Sequence, residues 1–219
     1  MGRCLLLGID EAGRGPVIGD MFQVGVAADQ DIIESLFGGR VRDSKRLSPR
    51  RRDKLARAIL ERAELVVTNR FPPRIIDSWN LNKLLGWGLT KIIAVAAVTV
   101  PCVDAVFIDE IKGVNTAPLK QLLPGSRIVM EAGADSRYAI VAAASIVAKF
   151  LREQHVAALH TVYGDFGSGY PSDPRTRSWL LGVGRDLPPI VRRSWKTLRR
   201  LGMGEGLTKF FKSGRSDES

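Results

Sequence analysis

Residues 5–16 read "LLLGIDEAGRGP", and the fold turns on this stretch. An apolar run from Leu5 to Ile9 ends in two adjacent acids, Asp10 and Glu11. An arginine between two glycines, Gly13-Arg14-Gly15, follows at once. A short apolar run closed by turn residues is the pattern of a buried strand. The run thus predicts a core strand carrying two carboxylates to its end, in a chain whose formal net charge is +10.

Working outward, "MFQVGVAA" (21–28) predicts a second strand, with Gly19-Asp20 in the connection, so the two form a hairpin. Ser48 and Pro49 suit a helix N-cap and first turn, and the helix then runs through "RRRDKLARAILERA" with Leu55, Ile59 and Leu60 on its apolar face. "ELVVTNRF" is strand-like and stops at Pro72-Pro73. A long helix is predicted over about 77–99, apolar nearly all round and therefore buried. "DAVFIDEI" and "SRIVMEA" are further strands, and "YAIVAAASIVAKFLREQHVAALHTVY" is one long helix. Strands interleaved with helices, then helices alone, indicate an α/β fold with a helical C-terminal part. The loop "YGDFGSGYPSDPRT" marks the boundary, giving residues 1–170 and 171–219 as the expected divisions.

The chain has 219 residues, enough for one core with a small appendage. No apolar run looks long enough to cross a bilayer, since "IIAVAAVTVPCV" is short and interrupted by Pro101. The N-terminal pattern is not that of a secretory signal, and a cytoplasmic protein with no membrane contact is expected. Cys4 and Cys102 lie in no CxxC pair and read as small apolar side chains rather than a disulfide or zinc site. Basic charge is clustered: residues 40–54 hold eight Lys/Arg against two acids, and residues 175–200 eight against one. Such clusters suit a polyanion bound through its phosphates, with a merely solvated surface as the alternative.

Asp10, Asp109 and Asp135 each follow an apolar strand-like run. Singly, each could be a turn former or a helix cap. Gathered at one end of a sheet they would repel, and either a proton or a divalent cation would relieve them. A hard cation such as Mg²⁺ prefers oxygen ligands, and two such ions can assist phosphodiester cleavage. One difficulty is geometric: successive strand residues point to opposite faces. Asp10 and Glu11 can therefore share an ion only if the strand ends there, or if Glu11 offers its backbone carbonyl. No Walker A motif and no GxSxG elbow is present.

"GIDEAGRGPVIGDM", "DSKRLS", "VFIDE", "GADSRYAIVAAASIVAK", "YGDFGSGYPSDPRT" and "RRSWKT" occur together in this order. On these motifs the chain resembles ribonuclease HII, archaeal branch, from residue 5 to about residue 200. The resemblance implies a ribonuclease H-like fold, with a central mixed five-stranded sheet flanked by helices and a helical C-terminal region. It implies metal-assisted hydrolysis of RNA in RNA/DNA hybrids and nicking of duplex DNA 5′ to embedded ribonucleotides, leaving 3′-hydroxyl and 5′-phosphate ends. The acids Asp10, Glu11, Asp109 and Asp135 match the family's catalytic and metal-binding set, which takes Mg²⁺ or Mn²⁺, two ions in the active complex. Gly13, Arg14 and Gly15 match the loop that senses the ribose 2′-hydroxyl, the group that distinguishes RNA from DNA. Tyr170 matches the tyrosine packed on the following sugar; apart from the family it reads equally as a loop tyrosine under a proline. Lys45, Ser145 and Lys149 resemble phosphate contacts, and Arg192, Arg193 and Lys196 further duplex contacts.

Two positions depart from the family pattern: Gly133 replaces a frequent lysine, and Glu110 follows Asp109 where alanine is frequent. Both make the site more negative, which predicts tighter metal dependence or a shifted metal preference. A monomer is expected, with the tail after residue 203, containing "LTKFF", as a packed or frayed terminus in the first place and a docking segment for a replication clamp as the alternative. The competing reading is a non-catalytic nucleic-acid binder, for which acids facing phosphates would be a handicap.

Overall fold

The structure, a computed structural model, describes residues 4–38 and 48–203. Five strands, β1 (Leu5–Ala12), β2 (Met21–Ala28), β3 (Leu65–Phe71), β4 (Val103–Asp109) and β5 (Arg127–Glu131), lie in the spatial order β3-β2-β1-β4-β5. The β1–β2 and β2–β3 pairs are antiparallel, whereas β4 runs parallel to β1 and β5 parallel to β4. The sheet is mixed, as expected, and the opening stretch supplies its central strand. The helices are α1 (Gln30–Phe37), α2 (Pro49–Arg62), α3 (Pro73–Ser78), α4 (Leu81–Thr99), α5 (Ala139–Tyr163), α6 (Pro174–Val183) and α7 (Lys196–Arg200). Short 3-10 turns cover Ala117–Gln121 and Ala134–Ser136.

The chain forms two compact units, each discontinuous in sequence. Among the described residues, the first runs up to Arg14, from Met21 to Phe71 and from Trp79 to Gln154; the second comprises Gly15–Asp20, Pro72–Ser78 and the chain from His155 to Met203. In the first unit, one sheet face carries Val24, Val26, Ala28, Ala105 and Phe107 and packs on α5, with Ala56 and Ile59 of α2 in the same cluster. Burying each valine, isoleucine or phenylalanine here stabilises by about 1.5–3 kcal/mol, and each alanine by less. Gly8 is what lets α5 come so close: a Cβ there would collide with the carbonyl of Ile140. The other face meets α4, where Gln23 Nε2 donates to the Leu85 carbonyl (3.1 Å) and Asn69 Nδ2 to that of Gly88 (2.8 Å). These bonds satisfy amides that would otherwise be buried without partners. The second unit has its own core, built on Val17, Ile18, Phe166, Leu180, Leu187, Ile190, Val191 and Leu198.

Several expectations need correction. The helix expected over 77–99 is two helices, because Asn80 caps a new one: its Oδ1 accepts from the N–H groups of Asn82 and Lys83. Nor is α4 apolar and buried all round; Trp87 and Val98 are exposed. By length and composition α4 would pass for a membrane span, against the expectation that no segment does. Its Leu84, Leu85, Leu89, Ile92, Ile93 and Ala96, however, form a buried stripe, as on a helix that covers a sheet. Helix α2 starts at Ser48 and Pro49 as expected, but Leu60 is 40% exposed, since it sits about 100° around the helix from buried Ile59.

Cys4 and Cys102 are not free apolar side chains: they form a disulfide. They immediately precede β1 and β4, whose first residues, Leu5 and Val103, are register partners. Adjacency in the sheet therefore brings together cysteines 98 residues apart.

Candidate active site

Because β1 and β4 are parallel neighbours, with Ile9 opposite Ile108, their carboxyl ends place Asp10 beside Asp109. Ligands of α/β sheets characteristically bind outside such strand ends. Asp10 is only 7% exposed. Its Oδ1 accepts from the Glu11 N–H (2.7 Å), and its carboxylate is also hydrogen-bonded by Ser145 of α5. Lys149, one turn along α5, donates to Ser145 Oγ (2.9 Å). The two residues expected to hold phosphate thus form a relay, Lys149 to Ser145 to Asp10. Asp109 Oδ1 accepts from the Ala134 N–H (3.0 Å), which ties β4 to the turn carrying buried Asp135. Glu110 is exposed, one residue out of phase with Asp109.

Burial raises the pKa of Asp10 to about 7, helped by the charge of Glu11 and, less, of Asp109; the bonds from Ser145 and the Glu11 N–H act the other way. Burial also raises Glu11, against the opposing pull of Arg14. Strand β1 does not end at Asp10 but continues to Ala12. Glu11 accordingly turns to the face opposite Asp10, where Arg14 Nη1 donates to its Oε1 (3.3 Å) and Arg14 Nη2 to Asn82 Oδ1 of α4. Of the two ways for Glu11 to share an ion with Asp10, the one needing a strand end is removed.

Among the described residues, no three Asp, Glu, His or Cys side chains are gathered closely enough to chelate one ion as they stand. The donors still fit a hard divalent cation. They are carboxylate oxygens, Asp10 is buried with its charge disfavoured, and such an ion needs only one or two carboxylates beside water and substrate phosphate. Gly133 has φ 70°, so the lysine of the family pattern would have to adopt left-handed backbone here.

In the second unit, Gly15 lies against Tyr170: a Cβ on Gly15 would be 3.4 Å from the phenol ring. Trp195 Nε1 donates to the Gly15 carbonyl (3.0 Å), and the N–H groups of Val17 and Ile18 donate to the Gly169 carbonyl. Tyr170 is 39% exposed on a loop held by Asp173, whose carboxylate accepts from the N–H groups of Ser168 (2.7 Å) and Arg175 (2.9 Å). The Ser168 bonds, aided by Arg175, hold the pKa of Asp173 down to about 2.

The basic residues expected to touch substrate fare differently. Arg192 is fully buried; its Nε donates to the Gly19 carbonyl (2.9 Å) and its guanidinium lies 4.9 Å from the Trp195 ring. It is a strut of the second unit, not an accessible cation. Arg193 and Lys196 are exposed, with Arg193 Nη2 donating to the Leu187 carbonyl (2.7 Å). Lys45 lies outside the described residues, as does the tail with "LTKFF". Sequence reasoning missed Asn82 and Trp195. Trp195 stands inside "RRSWKT", but its partner, the Gly15 carbonyl, is 180 positions away; Asn82 had no local signal, since its partner is Arg14, 68 positions away.

The ribonuclease HII family model matches residues 7–198. Ribonuclease HII of Hyperthermus butylicus is 43% identical over 204 residues, covering 90% of this chain and 85% of that one. The enzyme of Pyrobaculum neutrophilum is 44% identical over 196 residues, 88% and 95% of the two chains. Among solved structures, ribonuclease H2 from Pyrococcus horikoshii superposes with a TM-score of 0.77 at 35% identity, covering 90% and 96% of the chains. Ribonuclease HII in the PCNA:RNase HII complex from Archaeoglobus fulgidus gives 0.75 at 35% identity, covering 87% and 95%. With the acids of β1 and β4 side by side and nearly the whole chain matched, the protein belongs to the ribonuclease HII family.

Proposed function

We propose that Asp10, Glu11, Asp109 and Asp135 carry the reaction of this type II ribonuclease H, with Mg²⁺ or Mn²⁺ held by Asp10 and Asp109 in the first place. As a member of its family the enzyme hydrolyses RNA in RNA/DNA hybrids and nicks duplex DNA 5′ to embedded ribonucleotides, leaving 3′-hydroxyl and 5′-phosphate ends. The observation that carries the residue assignment is the buried Asp10, raised to about pKa 7 beside Asp109 and hydrogen-bonded by Ser145. A protein that only bound nucleic acid would have no use for such a carboxylate facing phosphate.

A bound divalent ion would supply charge stabilisation at the phosphate and a more acidic water. The chain's own residues do the rest. Ser145 orients the Asp10 carboxylate, and Lys149 holds Ser145 in place by a hydrogen bond to its hydroxyl. Asp135 adds negative charge from the turn that Asp109 anchors, and Glu11 contributes through its backbone carbonyl while its side chain holds Arg14. Gly13, Arg14 and Gly15 read the 2′-hydroxyl, Tyr170 packs on the next sugar, and Lys45, Arg193 and Lys196 neutralise phosphates. The Archaeoglobus fulgidus relative is seen in complex with PCNA, which supports a sliding clamp as partner of this chain too; its C-terminal tail is the segment assigned to that contact on the sequence alone.

The test uses duplex DNA with one internal ribonucleotide, with and without Mg²⁺ or Mn²⁺. Wild type should nick it only with metal, and Asp10→Asn should lose at least a thousandfold in rate, as expected when a group acting in the transition state is removed. A wild type without any metal-dependent nick would sink the assignment.

A further inference from the structure

We propose that the exposed face of α4, with Trp79 just before it, is a binding surface for the sugar–phosphate backbone of the substrate duplex. Trp79 and Trp87 are 48% and 53% exposed and meet edge to face, with ring centroids 4.5 Å apart. Two adjoining indoles left half in water form an apolar patch of the kind that marks an interaction site. Lys83 and Lys91, both exposed, stand four residues from Trp87 on either side, so the three share one side of the helix. The helix "LNKLLGWGLTKIIAVAAVT" contains no acid, so the charges it contributes to this face are both positive. That charge suits a polyanion, whose phosphates the two ammonium groups can neutralise.

The surface is also continuous with the ribonucleotide-reading loop, because Asn82 on the first turn of α4 accepts from Arg14 Nη2. The ammonium groups would take phosphates, while the indole faces cover sugars and their N–H groups meet phosphate oxygens. From Asn82 to Lys91 the helix rises about 14 Å, the length of about four base-pair steps. The inference rests on the reading that Arg14 belongs to the substrate loop.

The experiment measures affinity by fluorescence anisotropy, using a duplex with one ribonucleotide and Asp10→Asn protein to prevent turnover. Adding Trp79→Ala and Trp87→Ala should raise Kd about tenfold or more, as for truncated aromatic anchors. Adding Lys83→Ala and Lys91→Ala should reduce the slope of log K against log salt by about 1.8. Kd within twofold and an unchanged slope would overturn the proposal, as would a loss confined to binding of a protein partner. Acrylamide quenching gives a check on native protein: duplex should shield the fluorescence that Trp79→Phe with Trp87→Phe removes, and unshielded indoles would overturn the surface. Arg14→Ala separates the two readings. Its preference for ribonucleotide over all-DNA duplex reports on the loop, whereas the affinity of the tryptophan variants reports on α4.

Discussion

Asp10 is the residue on which the electrostatics turn. Its carboxyl is buried, has acids for neighbours, and titrates near pH 7 rather than near 4. A group with a folded pKa above its unfolded value binds its proton more tightly when folded. Its contribution to stability is therefore full below about pH 4 and is lost as pH rises through about 7. In EDTA, the wild type should lose more Tm between pH 5 and pH 8 than Asp10→Asn, which has no charge to bury; parallel curves in calorimetry would contradict this. Because a cation requires the ionised carboxylate, apparent Mg²⁺ affinity should rise over the same range. Ser145 donates to that carboxylate, and its loss leaves the Glu11 N–H as the remaining hydrogen bond favouring the ionised form. Ser145→Ala should cost about 1–2 kcal/mol of metal binding, about tenfold in the metal concentration for half-maximal activity, with the rate at saturating metal largely kept.

Elements decide how these side chains reach one place. Strand β1 carries Asp10 and Glu11, yet the same strand sends them to opposite faces, Asp10 toward α5 and Glu11 toward Arg14 and α4. The alternation was readable from residues 5–16, and so was the resulting problem; that β1 runs on to Ala12 was not, because strand ends depend on what β2 offers as a partner. Helix α5 can approach β1 only because residue 8 is glycine. Gly8→Ala should push Ile140 away and destabilise by about 1–3 kcal/mol, seen as a shift in the urea midpoint, with metal affinity falling too because Ser145 rides on α5. Helix α4 shows the limit of local reading: an apolar run suggested burial all round, but a helix against one sheet face has one face to hide. Asn80, which splits the expected helix, was legible as a residue type suited to capping, though the run around it masked the signal.

At the scale of the molecule, the disulfide between Cys4 and Cys102 closes a 98-residue separation and pins β1 to β4, the two strands that carry Asp10 and Asp109. In the chain-entropy account, a loop of this length stabilises by about 4–5 kcal/mol. Reducing agent, or Cys4→Ser, should lower Tm by several degrees, and an unchanged Tm would show that the bridge adds nothing to the fold.

Residues close together in the chain carry the alternation of strands and helices, the apolar runs that lead into Asp10 and Asp109, and the motifs of the family. Which residues meet across the chain is set by the tertiary structure. It joined Cys4 to Cys102, turned Arg192 inward as a strut, set Trp195 on the Gly15 carbonyl and linked Lys149 through Ser145 to Asp10. Such pairings depend on sheet order and helix approach, which no local stretch encodes. The stretch "LLLGIDEAGRGP" announced a strand bearing acids, and the neighbouring strand and the helix above it set Asp109 and Ser145 beside Asp10.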